Sequence, residues 1–204
     1  MKFKNVEDIY PLAPTQQGIL FHNFYDPASA MYLELITWTI DGEVNISAFE
    51  KAWQSVVDRH PILRTSFVWE GLDEPMQIVR KQARLPLTYE DWRGLTPEVQ
   101  HEHTEEFLAR QRARGFDLSV APLMRIALIR LADSVYRFVW SYHHVLVDGW
   151  SLSLIFNDMF SFYEALIQGR ELKLEPGRPF RDYQVACRLR KASAKGLRSA
   201  LIPS

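Results

Sequence analysis

Two runs near the middle of the chain constrain its fold most. Residues 123–131 and 135–142 are apolar at nearly every position, with only the turn Ala132, Asp133, Ser134 between them. A strand with one face in water alternates apolar and polar residues, so a strand apolar at both parities is covered on both faces. The pair therefore predicts two neighbouring strands at the centre of a sheet, with other elements packed above and below.

The rest of the chain supplies those elements. Ile46, Phe49, Trp53, Val56 and Val57 fall on one helical face, with Asn45 or Ser47 as the cap and Pro61 beyond the end. Thr96-Pro97-Glu98 starts a second helix, which is mostly polar, stops at Gly115 and so belongs on the outside. A long amphipathic helix begins near Trp150 and runs through Leu154, Ile155, Phe160, Tyr163 and Leu166 to Gly169. A short helix over 15–23 follows an extended lead-in, 1–14, punctuated by Pro11 and Pro14, and a last helix begins near Pro179. Further strands are expected at 31–40, 63–70, 75–80 and 85–91, with 71–74 as a hairpin loop. Helices and strands mix throughout, which predicts an α/β sandwich with helices packed on one sheet.

Composition bounds what such a fold does. The 204 residues, 47% hydrophobic and 13% aromatic, exclude disorder over most of the length and suffice for one substantial core. No run approaches 18 consecutive apolar residues, so no membrane-spanning helix is expected. The opening MKFKNVEDIYPLAP has no apolar run behind its lysines and does not read as a secretory signal. A single cysteine, Cys187, builds neither a disulfide framework nor a thiolate metal site, and a reducing, cytoplasmic setting follows. The net charge of −1 argues against nucleic acid as a partner. Beyond residue 175, seven basic residues face one acid, so a basic tail (191–204 at its end) follows an acidic body. A solvated face is a plainer account of that tail than a phosphate contact.

Chemistry concentrates in one segment, Tyr142-His143-His144-Val145-Leu146-Val147-Asp148-Gly149-Trp150-Ser151. It leaves a buried strand, turns at Asp148-Gly149 and enters a helix. Two histidines at a rigid strand end thus lie near the free N–H groups of a helix N-terminus, which combines a base with a place for a developing oxyanion. Two satisfied core histidines would fit the same spacing. Zinc is disfavoured, since His143, His144 and Asp148 are too crowded along the chain to give three ligands. His101 and His103 read as surface residues, while His22 and His60 lie beside other segments of interest. There is no G-x-S-x-G elbow, no phosphate-binding glycine loop and no activated cysteine. If the chain transfers an acyl group, the attacking atom comes from a substrate.

The segment YHHVLVDGWS resembles the HHxxxDG signature of the condensation domains of nonribosomal peptide synthetases. Three other segments agree in order. YPLAPTQQGILFH, at 10–22, resembles the family's opening motif, RHPILRTSF, at 59–67, its second motif, and RPFRDY, at 178–183, the segment after the signature helix. HHxxxDG alone also fits the wider superfamily that includes chloramphenicol acetyltransferase.

The resemblance implies a chloramphenicol acetyltransferase-like lobe, its sheet mostly antiparallel or mixed and covered by helices. It implies an amide-forming acyltransferase: the amine of an acceptor aminoacyl thioester attacks a donor acyl thioester. Both groups ride on the phosphopantetheine of donor and acceptor peptidyl carrier proteins, and no cofactor is bound directly. By the same resemblance His144 is catalytic, as a base or by holding the amine. His143 orients the loop. Gly149 permits a close turn, and its N–H stabilises the tetrahedral intermediate. Asp148 is structural and pairs with Arg64, a buried pair whose rupture costs about 3–5 kcal/mol. The opening motif leans toward the subtype that accepts a D-configured donor. The resemblance covers only the N-terminal lobe, 1–190, of a two-lobed domain, so the isolated chain is expected to be inactive without a C-terminal lobe. Two other readings remain open: a non-catalytic module that docks a carrier protein, and an oligomeric acyltransferase with its site between protomers.

Overall fold

The computed structural model describes residues 4–25, 31–174 and 181. The chain divides into two units, 1–174 and 175–204, and every element described belongs to the first. The expected helix near Pro179, the boundary at 190/191 and the basic tail lie outside the described residues.

The two apolar runs form β6 (Met124–Ala132) and β7 (Val135–His143), paired antiparallel. They are central in a four-stranded sheet. β2 (Leu33–Asp41) flanks β7 antiparallel, and β5 (Leu87–Asp91) flanks β6 parallel, giving the order β2-β7-β6-β5. Both faces are covered, as the apolar pattern demanded. On one face lie α2 (Ile46–Arg59) and α4 (Gly149–Ile167), whose Trp53 and Phe156 pack against Phe138 and Trp140 of β7. On the other lies α3 (Pro97–Arg114), which buries Thr104, Phe107 and Leu108 and leaves most of its surface to water. Phe107 and Leu108 share a cluster with Ala127, Ile129 and Val139. The mixed sheet and the helix layers agree with the sequence reading.

The caps explain where helices begin. The Asn45 side chain accepts from Ala48 N–H and starts α2, and Thr96 caps α3 with Pro97 at its first position. Pro14 likewise opens α1 (Pro14–Tyr25).

Two expectations are corrected. There is a second sheet, of order β1-β4-β3, in which the lead-in forms β1 (Val6–Pro11), paired with β4 (Met76–Arg80). The strand expected at 63–70 is shorter, because residues Pro61–Arg64 form a 3-10 turn before β3 (Thr65–Val68). Pro61 sits at the start of that turn, where its fixed φ suits a helical rather than an extended backbone. Gly71, at φ +72°, lies in the loop that joins β3 to β4 as a hairpin.

Candidate active site

The central strand delivers the two histidines. At its end, His143 N–H donates to the Leu123 carbonyl (3.0 Å) and His144 N–H to the Tyr32 carbonyl (2.8 Å), so both neighbours hold the strand to its last residue. Leu146 N–H then donates to the His143 carbonyl (3.1 Å), closing a turn whose Val145, Leu146 and Val147 side chains are buried in the main core.

This arrangement treats the two histidines differently. His143 is 5% exposed, and its Nδ1 accepts from Val145 N–H at 3.2 Å. Burial, with the neighbouring His144 charge as a smaller cause, holds its pKa down at about 4. It is therefore a neutral acceptor within the turn. His144, one residue on, is exposed. His22, exposed on α1, stands near Tyr32, and Tyr32 stands near His143, with ring centres 6.3 and 6.2 Å apart.

The loop ends at Asp148, the N-cap of α4. Its Oδ1 accepts from Ser151 N–H (2.9 Å) and from the Ser151 hydroxyl (2.7 Å), and these bonds, the hydroxyl first, hold its carboxyl below the ordinary range. Gly149 N–H lies at the first helical position, where no intrahelical acceptor exists. Beside it Trp150 is 88% exposed, and Leu154 is exposed one turn along. The loop thus opens the His144 imidazole and the first residue of α4 to solvent, beside exposed apolar side chains.

Two implied roles are not met by the geometry. Asp148 and Arg64 do not pair. Arg64 is buried (5% exposed), with Nη1 on Glu7 (2.7 Å) and on the Arg80 and Lys81 carbonyls, and with Nε and Nη2 on the Val57 and Asp58 carbonyls. It holds the second sheet and the end of α2, while Asp148 serves its own helix. Nor does a close turn require a glycine at 149: its φ is not left-handed, and a Cβ there would meet nothing within 4 Å.

His60 reaches α4 instead of a cleft. Its Nε2 and Arg59 Nε both lie 2.7 Å from Asp158 Oδ2. His101 is exposed, as expected, whereas His103 is half-buried edge-on to Trp92, 5.6 Å away.

Sequence reading missed two residues that touch the site. Gln16 and Gln77 are 3% and 0% exposed and pair amide to amide. Gln16 Nε2 also donates to the Val145 carbonyl in the histidine loop (3.3 Å). The available signal was a polar residue at an inward position of β4.

Comparison with known proteins gives the family and the fold. Residues 6–200 match the family described as Condensation domain. The chain is 49% identical over 180 residues to a linear gramicidin synthase polypeptide of Brevibacillus parabrevis, covering 88% of this chain and 4% of that protein. It is 39% identical over 178 residues to bacitracin synthase 1 of Bacillus licheniformis, covering 87% of this chain and 3% of that one. Its fold matches the first condensation domain of the CDA synthetase with a TM-score of 0.83 at 20% identity, over 95% of this chain and 48% of that one. The starter condensation domain of rhizomide synthetase matches with a TM-score of 0.80 at 22% identity, over 92% and 47%. The chain thus spans a few per cent of the curated synthetases and just under half of each solved domain.

Proposed function

This chain belongs to the condensation-domain family of nonribosomal peptide synthetases, and from that premise we propose that it is the N-terminal, histidine-bearing lobe of an amide-forming acyltransferase. The observation that carries this reading is the division between adjacent histidines. His143 is buried and neutral and builds the turn, while His144 is left exposed beside the open N-terminus of α4.

In this reading an acceptor amine, carried on the phosphopantetheine of one carrier protein, lies against the His144 imidazole. Its lone pair attacks the donor thioester carbonyl, whose carrier sits on the opposite side. His144 accepts the proton that the amine sheds, or holds the amine for attack. The oxyanion that forms needs donors, and Gly149 N–H is a free one on the same loop. Collapse expels the donor thiolate, which takes up a proton, and leaves the amide on the acceptor. The support residues act indirectly: Asp148 caps α4, and Arg64 ties α2 to the second sheet. The expected location is the cytoplasm; among the described residues no helix is long and apolar enough to cross a membrane.

The test supplies the chain with two loaded carrier proteins, with and without the C-terminal half of a condensation domain, and looks for amide product by mass spectrometry. Product only with both halves, abolished by His144→Ala, supports the reading. Product from the chain alone, or product that survives His144→Ala in a folded chain, refutes it.

A further inference from the structure

The buried glutamine pair joins two sequence segments that are far apart to the histidine loop. Gln16 lies in the opening motif, at the third position of α1, and its Oε1 accepts from Ala13 N–H (2.9 Å), the half of a capping box in which a helical side chain reaches back to the cap. That bond fixes which end of the amide is oxygen. The other end, Nε2, therefore donates both its hydrogens, one to Gln77 Oε1 (3.4 Å) and one to the Val145 carbonyl (3.3 Å). Gln77 returns one hydrogen to Gln16 Oε1 (3.0 Å) and gives the other to the Pro11 carbonyl (3.2 Å). Among the described residues, these two interior amides bond each other and the backbone groups of Ala13, Pro11 and Val145.

An apolar pair would fill this space without the risk of burying unpaired amides. What an apolar pair cannot do is set direction, because hydrophobic contact is non-directional. The apolar side chains of Val145, Leu146 and Val147 bury the loop, and its bonds to His143 shape the turn from within, but neither ties it to the opening motif. The Gln16 bond to the Val145 carbonyl, one residue after His144, makes that tie.

We infer that Gln16 is a positioning residue: through the Val145 carbonyl it fixes where the His144 imidazole and the Gly149 N–H stand relative to each other, with Gln77 holding the Gln16 amide in orientation. The inference rests on the reading of His144 given above, but its test does not depend on amide formation.

The measurement is the backbone amide spectrum of the 204-residue chain by nuclear magnetic resonance, with thermal melting alongside. Gln16→Met removes the donor while keeping the volume. Val57→Ala, in the core of α2, supplies a comparable stability loss away from the loop. Gln16→Met is expected to move the His144, Val145 and Gly149 amide resonances by more than a linewidth, and Val57→Ala to leave them in place. If both variants leave them in place, or both move them alike, Gln16 is only structural and the inference is wrong. Should Gln16→Met fail to fold, Gln16→Glu decides. Its protonated carboxyl still donates to the Val145 carbonyl and its ionised form cannot, so the loop resonances should move as that carboxyl ionises, beyond the movement that the same pH change produces in the wild type through His143. Loop resonances independent of its ionisation would overturn the inference.

Discussion

Arg64 and Asp148 offer a sharp test, because the resemblance ties them together and the structure holds them apart. Arg64→Met keeps the methylene stem in its pocket and removes the guanidinium. It leaves the Val57, Asp58, Arg80 and Lys81 carbonyls short of a donor. It also leaves Glu7 unpaired, but that carboxylate is 46% exposed and water takes over. A buried group that loses its partner costs about 1–3 kcal/mol, and the carbonyls here are partly buried, so the expected loss is about 3 kcal/mol. Asp148→Ala removes an exposed N-cap, at about 1 kcal/mol. Since the two side chains share no partner, the double variant should lose about 4 kcal/mol, with a coupling within about 0.5 kcal/mol of zero. Denaturant unfolding of the four proteins measures this directly. A coupling of about 1 kcal/mol or more would show that the pair forms and that the separate roles assigned to the two residues are wrong.

Two further outcomes follow from the same contacts. His143 has a folded pKa of about 4 against an ordinary 6.5, so the unfolded chain binds a proton between those values and the folded chain does not. Its contribution is therefore complete above pH 6.5 and is lost as pH falls toward 4, by up to about 3 kcal/mol. The unfolding free energy of wild type minus that of His143→Gln should decline over this window; a flat difference refutes the assignment. Trp53, 0% exposed and stacked 5.7 Å from Phe138, should cost about 4 kcal/mol as Trp53→Ala. Trp53→Phe should cost well under half of that, because it also removes an Nε1–H that is buried without a partner among the described residues, and equal losses in a denaturant titration would contradict this account.

What the sequence disclosed and what it hid divide along physical lines. The central position of β6 and β7 was legible because burial on both faces leaves no polar alternation. The caps at Asn45 and Thr96 were legible because they are local, one side chain bonding an amide three residues on. The histidine motif was legible as a place, but the contrast between His143 and His144 was not. Strand alternation points neighbouring residues to opposite faces, yet which face is covered depends on distant elements. The second sheet was hidden for a similar reason: β1 pairs with β4 across some 70 residues of chain, and the lead-in carries no pattern of its own that states a partner. The Arg64–Asp148 pair failed as an expectation because a motif records which residues recur, not which atoms meet. Arg64 found backbone carbonyls, acceptors that every chain provides, together with the Glu7 carboxylate.

The motifs then have a common physical meaning. Backbone bonds at Leu123 and Tyr32 fix the loop's entrance, and Gln16 of the opening motif holds its middle through Val145. At its exit, Asp148 caps α4. Ten residues farther along the helix, about 15 Å by helical rise, Arg59 and His60 of the second motif close on Asp158 and set the helix against α2. Helix packing through Trp53, Phe138 and Phe156 supplies most of the binding but tolerates sliding, whereas an ion pair at 2.7 Å does not. Each of the three motifs within the described residues thus restrains a different degree of freedom of one loop, while RPFRDY lies outside them but for residue 181. That is the arrangement the proposed function needs, since His144 stands in the open and is placed by its backbone.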